Sequence, residues 1–342
     1  MLVAMISRSC TALLLSCLPF ALRDGAASEL DLLDDGHANA PHAPIQKPEL
    51  LTSYIKRPPW KVAGVDYGVG VPADTALTDW RDLRGPGISI VDNLVRVDNT
   101  SGVHIDSVDF SLHGGAILLF VNSPGGVVTN SKFQSTSSAG EINADEQSPD
   151  LTVQFCTIAG GADGSSLISA HGTVVVQYNW MRDFPQHAVE IGGSTNLVYR
   201  YNLIENGGTV AGAHLNYLQM MGSNVTNAVV VAYNTTYQTR QAASGEGFQL
   251  YISDGTNSGV LVNPTFAYNT MIAKGRLAMS YMLHGSSRYA SSKPYSTLIE
   301  GIATAHHNYF DTTGAYGAFY PGSFLKWSLV ENWNMITGRD IR

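Results

Sequence analysis

The chain has 342 residues, a formal net charge of −8 and only 14% charged residues. No basic footprint is present, which excludes a nucleic-acid surface, and a 44% hydrophobic fraction excludes disorder for most of the chain. Its surface must be covered by uncharged polar groups, which suits an all-β protein with many polar turns and not a charged helical bundle.

Residues 1–27 read as a secretory signal peptide. Arg8 supplies the positive start, Thr11 to Leu22 a short apolar run, and Gly25-Ala26-Ala27 the small residues for cleavage. A lipid anchor at Cys17, after Leu14-Leu15-Ser16, is the weaker alternative, because Leu15 fits a lipid-attachment box poorly. No later run is long and apolar enough to span a membrane. The reading is therefore a secreted, periplasmic or extracellular protein. Cys10 and Cys17 fall inside the signal, so only Cys156 remains, with no partner for an intramolecular disulfide. It lies in an alternating strand and reads as a buried small hydrophobe. Residues 28–47, rich in Asp, Ala, His and Pro, read as a flexible linker. His37 and His42 there have no further ligands nearby for a metal. Residues 48–87 read as an N-terminal cap that hides an exposed strand edge.

From residue 88 to 342 one pattern recurs: alternating apolar residues, an aromatic, an Asn, then a second short strand. It is clearest at Asn179, Asn202, Asn234 and Asn269, each preceded by Tyr. Looser copies hold Asp109, Asn130, Cys156, Asn308 and Asn334. The steps between copies are 21, 26, 23, 23, 32, 35, 39 and 26 residues. A base period just over twenty, with no helical period inside it, excludes propellers and leucine-rich repeats. Three short strands and three turns per repeat predict a parallel β-helix of about eight to nine coils, stacked at the interstrand spacing of about 4.8 Å. The repeating Asn is expected at a turn needing φ > 0, stacked on its neighbours. Asn224-Val-Thr and Asn234-Thr-Thr match the glycosylation triplet, but a buried ladder position argues against Asn234.

Through this coil period, Asn ladder and short strands, residues 88–340 resemble a right-handed parallel β-helix protein of the pectate-lyase-like superfamily. The resemblance is specific for fold. Its members include lyases, hydrolases, esterases, epimerases, depolymerases and non-catalytic adhesins, so chemistry must come from the site.

Another strand of each coil sorts by alternation. Ile142, Val189, Leu218, Phe248 and Met279 are expected inward, as are Ala144, Ile191, Met220 and Leu250. Asn143, Ile168, Glu190, Gln219, Gln249 and Ser280 are expected outward. The resemblance implies that this strand floors an elongated groove, and the three long steps from 202 to 308 add loops beside it. The segment His214-Leu-Asn216-Tyr-Leu-Gln219 resembles the His-x-Asp-x-x-Gln coil signature of some β-helix proteins. Asn216 replaces its Asp, which removes a general base or calcium ligand there.

These residues favour a polysaccharide lyase on an acidic, uronate-containing polysaccharide or oligosaccharide. β-Elimination needs neutralisation of the carboxylate, a base for the C5 proton and an acid for the leaving oxygen. The expected catalytic groups are His214, Tyr217, Lys274 and Arg276. The expected substrate-binding groups are His187, Glu190, Gln219, Arg240, Gln249, Tyr251, Tyr281 and His284. No metal or other cofactor is expected, because no Asp cluster marks a calcium site. Two alternatives stay open. A glycoside hydrolase would pair Glu190 with another carboxylate from Glu141, Asp145 or Glu246. A non-catalytic, adhesin-like protein would use the same columns only to bind glycan. The aromatic run from Tyr309 to Tyr320 is expected to pack the last coils.

Overall fold

A computed structural model of the chain describes residues 46–135, 140–161, 166–210, 213–221, 225–226, 228–239, 244–245, 247–250, 260–273, 281–285, 298–311, 317–320 and 327–342. The expected signal peptide and nearly all of the linker lie outside these residues.

The described elements are almost all strands, and every paired strand except the hairpin of Ile88–Val91 with Leu94–Asp98 is parallel to its neighbour. The chain coils through three successive strands, then repeats. In one full turn the first and second strands are joined as Ser166–Gln177, bent at a register shift around Gly172, and the third is Trp180–Arg182. The next turn repeats this as His187–Arg200 and Leu203–Glu205. Third strands stack into a ten-stranded ladder from Thr78–Asp79 to Trp333–Asn334. Inward side chains of all three strands fill one continuous core, with Val176, Tyr199, Val231, Phe266 and Ala305 in one column.

The turn between second and third strands carries the repeat. Its buried Asn side chains form an unbroken ladder through Asn179, Asn202, Asn234, Asn269, Asn308 and Asn332. Each Oδ1 accepts the backbone N–H of the ladder residue one coil before it, and each Nδ2 donates to a backbone carbonyl. For Asn202 these are Asn179 N at 3.0 Å and Val176 O at 2.9 Å. Cys156 begins the Asn-bonded run, since its N–H donates to Asn179 Oδ1 at 2.9 Å. Cys156 itself is buried, which pushes its thiol up to about 12.

Two expectations about this turn change. The left-handed residue is the one before the Asn, or before Cys156 in its place: Phe155, Tyr178, Tyr201, Tyr233, Tyr268 and His307 all have φ between 54° and 58°. The cost of that backbone in residues with a Cβ is offset by packing, because these rings stack on one another along the rod. The looser copies also shift. Asn130 shares the left-handed position, and Asn332, not Asn334, ends the ladder.

The expected cap divides in two. Trp80 is fully buried at the first coils and donates its indole N–H to Leu112 O at 3.0 Å, and Ile88–Val91 covers the edge of Leu94–Asp98. Residues 46–75 instead run lengthwise along the rod as a strap. Lys56 N–H donates to Met335 O near the last coil, Gly70 N–H to Tyr178 O and Val71 N–H to Thr157 Oγ1 farther back. Trp60 meets Tyr233, Tyr268 and Tyr309 edge-on. Lys47 pairs with the buried Glu205, which also accepts the Trp180 indole N–H at 2.6 Å.

Candidate functional site

The first strands build the candidate site. Their register places Asn143, Ser169, Glu190, Gln219, Gln249 and His284 in one outward column. Successive members are one interstrand spacing apart, so Asn143 to Gln219 spans roughly 14 Å. Ile168 is not in this column. It pairs with Ile142 and Val189 and is fully buried, and Ser169 takes the outward place. Alternation failed there because Leu167 and Ile168 both enter the core where the chain turns into the strand. The other inward assignments hold for Ile142, Val189, Leu218, Phe248, Ala144, Ile191, Met220 and Leu250. Met279 and Ser280 lie outside the described residues. Leu283 fills the inward place opposite Phe248, and His284 the outward one.

The same double inward turn corrects Tyr217. It precedes Leu218, is fully buried, and packs against Phe248 with ring centroids 5.6 Å apart. Burial raises its phenol far above the ordinary range. A residue so placed cannot reach a substrate, and Tyr217 is part of the core.

Asn216, one residue earlier, faces the column. Its Nδ2 donates to Gln219 Oε1 at 2.8 Å and to Gln249 Oε1 at 3.0 Å. Both glutamine carbonyls therefore turn toward Asn216, and their amide N–H₂ groups turn the other way. The Asn in place of the signature's Asp thus has a role that an ionised Asp could not fill, since only an N–H can donate to two carbonyls. Glu190 accepts the Ser166 hydroxyl at 3.0 Å. His187 pairs with Asn216 of the next coil, and its ring lies 6.4 Å, edge-on, from that of His214. His187 is buried, which lowers it to about 4 with help from His214, so it is neutral at neutral pH. Its Nδ1 has no hydrogen-bond partner among the described residues. His214 is exposed.

Exposure divides the predicted groups. Asn143, Ser169, Glu190 and Gln219 are half-buried and His214 is open. Gln249 and His284 are outward in register but only 2% and 3% exposed, so they support neighbours and do not meet a ligand directly. His284 lies against Tyr320 with centroids 4.1 Å apart, and Tyr281 stands edge-on to Tyr320 at 5.1 Å. This Tyr pair forms an aromatic end to the column. Tyr309, Phe310 and Phe319 are buried as expected, whereas Tyr320 is half-buried beside His284. Ser166, Ser169 and Tyr320 were missed. Ser169 was visible only with the correct register, and Tyr320 arrives from a distant segment.

Lys274, Arg276, Arg240 and Tyr251 lie outside the described residues, as does Glu246. Of the other hydrolase candidates, Glu141 is fully buried and Asp145 accepts the Ser148 hydroxyl at 2.6 Å. Glu190 is therefore the one carboxylate on the column among the described residues. Also among these residues, no three His, Cys, Asp or Glu side chains gather as a metal site, and no helix is long and apolar enough to cross a membrane.

No curated protein and no solved structure matched the chain. Residues 93–324 match the family model described as the right handed beta helix region. That span holds the Asn ladder from Asn179 to Asn308 and the outward column from Asn143 to His284. With parallel coils, ladder and family match in agreement, the chain belongs to the right-handed β-helix family.

Proposed function

We propose that this is a secreted carbohydrate-active protein whose first-strand face binds an acidic polysaccharide and cleaves it by β-elimination. The observation that carries this reading is the exposed His214 beside a polar column whose amides are held in place by Asn216. Gln219 offers an oriented N–H₂ to the substrate carboxylate, which stabilises the charge that builds up when the C5 proton leaves. Glu190, on the same column, takes sugar hydroxyls and fixes the direction in which the chain lies. His214 takes the C5 proton. The C5–H electron pair becomes the C4=C5 double bond, the C4–O bond breaks, and the leaving oxygen takes a proton from the His214 imidazolium. His187 is neutral and lies against His214, so it positions that ring and adds no charge that would oppose its protonation.

A hydrolase needs two carboxyl groups across the scissile bond. Glu190 stands alone on the described column, which places hydrolysis second. One assay separates the readings. The full chain is incubated with acidic and neutral glycans while reducing ends and ultraviolet absorbance are followed. New reducing ends with new absorbance are expected. Reducing ends without absorbance mean hydrolysis, and binding without either leaves a glycan-binding protein. His214→Ala is expected to lower the rate by roughly 100-fold or more with unchanged thermal unfolding, because the side chain is exposed. A shifted unfolding midpoint with retained rate would make His214 structural.

A further inference from the structure

We propose a second carbohydrate site, on a different corner of the coil, at the open end of the aromatic stack. Tyr268, Tyr233, Tyr201, Tyr178 and Phe155 lie face to face, with successive centroids 4.7, 5.1, 4.9 and 4.9 Å apart and ring planes within 23° of parallel. The strap covers this stack in part, with Trp60 against Tyr233 and Tyr268 and Tyr67 against Tyr178. At Phe155 the rings end. The next two residues of the same left-handed column are Asn130 and Ser107, at φ 49° and 56°, and neither carries a ring. A cavity of about 490 Å³ lies there, lined by Phe155, Asn130, Ser107 and the strap residues Pro72, Asp74 and Thr75.

The position is built for one more ring. The stack sets its plane, and Phe155 is half-buried, with an aromatic face beside the cavity. The walls decide which ring. They carry a carboxylate, an amide and two hydroxyls, while Asn130 is steadied by donating to Asp106 Oδ1 at 2.8 Å. A pyranose matches both features. Its axial C–H groups form an apolar face for Phe155, and its equatorial hydroxyls form the rim that Asp74, Ser107 and Thr75 can bond. A flat aromatic ligand would leave those polar walls unused. The site is independent of the groove chemistry and calls for no cleavage.

Saturation-transfer NMR on the full chain tests it with methyl glycosides of the neutral sugars glucose, galactose and mannose as probes and indole as the aromatic control. At least one glycoside is expected to receive saturation on its ring protons. Asn130→Phe places in the cavity the ring that the neighbouring coils already carry at this backbone angle, so the fold tolerates it. It is expected to abolish that signal without lowering the unfolding midpoint. Phe155→Leu is expected to weaken binding roughly tenfold. Binding of no glycoside, binding of indole alone, or glycoside binding that survives Asn130→Phe would each overturn the proposal.

Discussion

Two buried ionisable groups pull the pH dependence of this protein in opposite directions. Glu141 sits where the neighbouring coils place Leu167, Ala188 and Tyr217, facing the core. Burial raises its carboxyl to about 7, against bonds from the Ser135 N–H at 3.0 Å and hydroxyl at 2.8 Å that favour the anion. The folded state therefore holds this proton more tightly than the unfolded chain does. Stability from Glu141 is fully present below about pH 4.5 and is lost as pH rises through about 7. His187 has the reverse sign. Its folded value near 4 lies below the ordinary 6.5, so its contribution is present above 6.5 and is lost as pH falls toward 4. Glu141→Gln keeps an acceptor for both Ser135 donors and removes the ionisation. It is expected to raise the unfolding midpoint at pH 8 by several degrees, reflecting up to roughly 3 kcal/mol, and to change it little at pH 4.5. The loss below pH 6.5 should remain in that variant. Thermal unfolding between pH 4 and 9 checks both arms, and equal gains at pH 4.5 and pH 8 would contradict the ionisation account.

At the scale of the element, the Asn turn holds coil to coil. Asn202 satisfies a buried N–H above and a buried carbonyl below, so Asn202→Ala leaves several groups unpaired at once. The expected cost is roughly 3 to 5 kcal/mol. The control is Gln177→Ala, whose half-buried side chain bonds Gln154 and Arg200 and should cost about 1 kcal/mol or less. Denaturant midpoints distinguish them, and equal losses would deny the ladder its role. This element was also the most legible in the sequence. Tyr-Asn repeated with alternating apolar neighbours announces both a turn and a stacked strand, and it led to the β-helix directly. The detail of which residue takes φ > 0 was not legible, since isolated propensity favours Asn and only the ring stack makes Tyr worth placing there. On the first strands the columns through Val189, Glu190, Leu218 and Gln219 were legible because alternation holds. Ile168 and Tyr217 were misassigned where two consecutive side chains turn inward, a feature that period-two reasoning cannot see. The burial of Gln249 and His284 depends on neighbours distant in sequence, such as Tyr320.

The coils are tied to one another along much of their length by the strap. Tyr54 donates to Asp311 at 2.8 Å and Lys56 N–H reaches Met335, yet Thr78 pairs with Val108 at the opposite end of the ladder. The coils are linked only to their immediate neighbours, as in any stacked repeat, so each could open separately. The strap bonds to several of them together, and its aromatic contacts couple coils that do not otherwise touch. Trp60 is the central contact, edge-on to three rings drawn from the turns of Tyr233 and Tyr268 and from the strand of Tyr309. Trp60→Ala removes these contacts from a half-buried site and is expected to cost about 2 to 3 kcal/mol. That loss falls on the opening of the strap and not on the ladder, whose Asn bonds remain. Limited proteolysis under native conditions should therefore cut within residues 46–75 at least tenfold faster in the variant, because cleavage follows the population of the locally open form. Hydrogen exchange at Asn179, Asn202 and Asn234 should stay slow at the same time. If those ladder amides lose protection in step with the strap, the strap and coils open as one unit, and the rod's coils depend on it for their own stability.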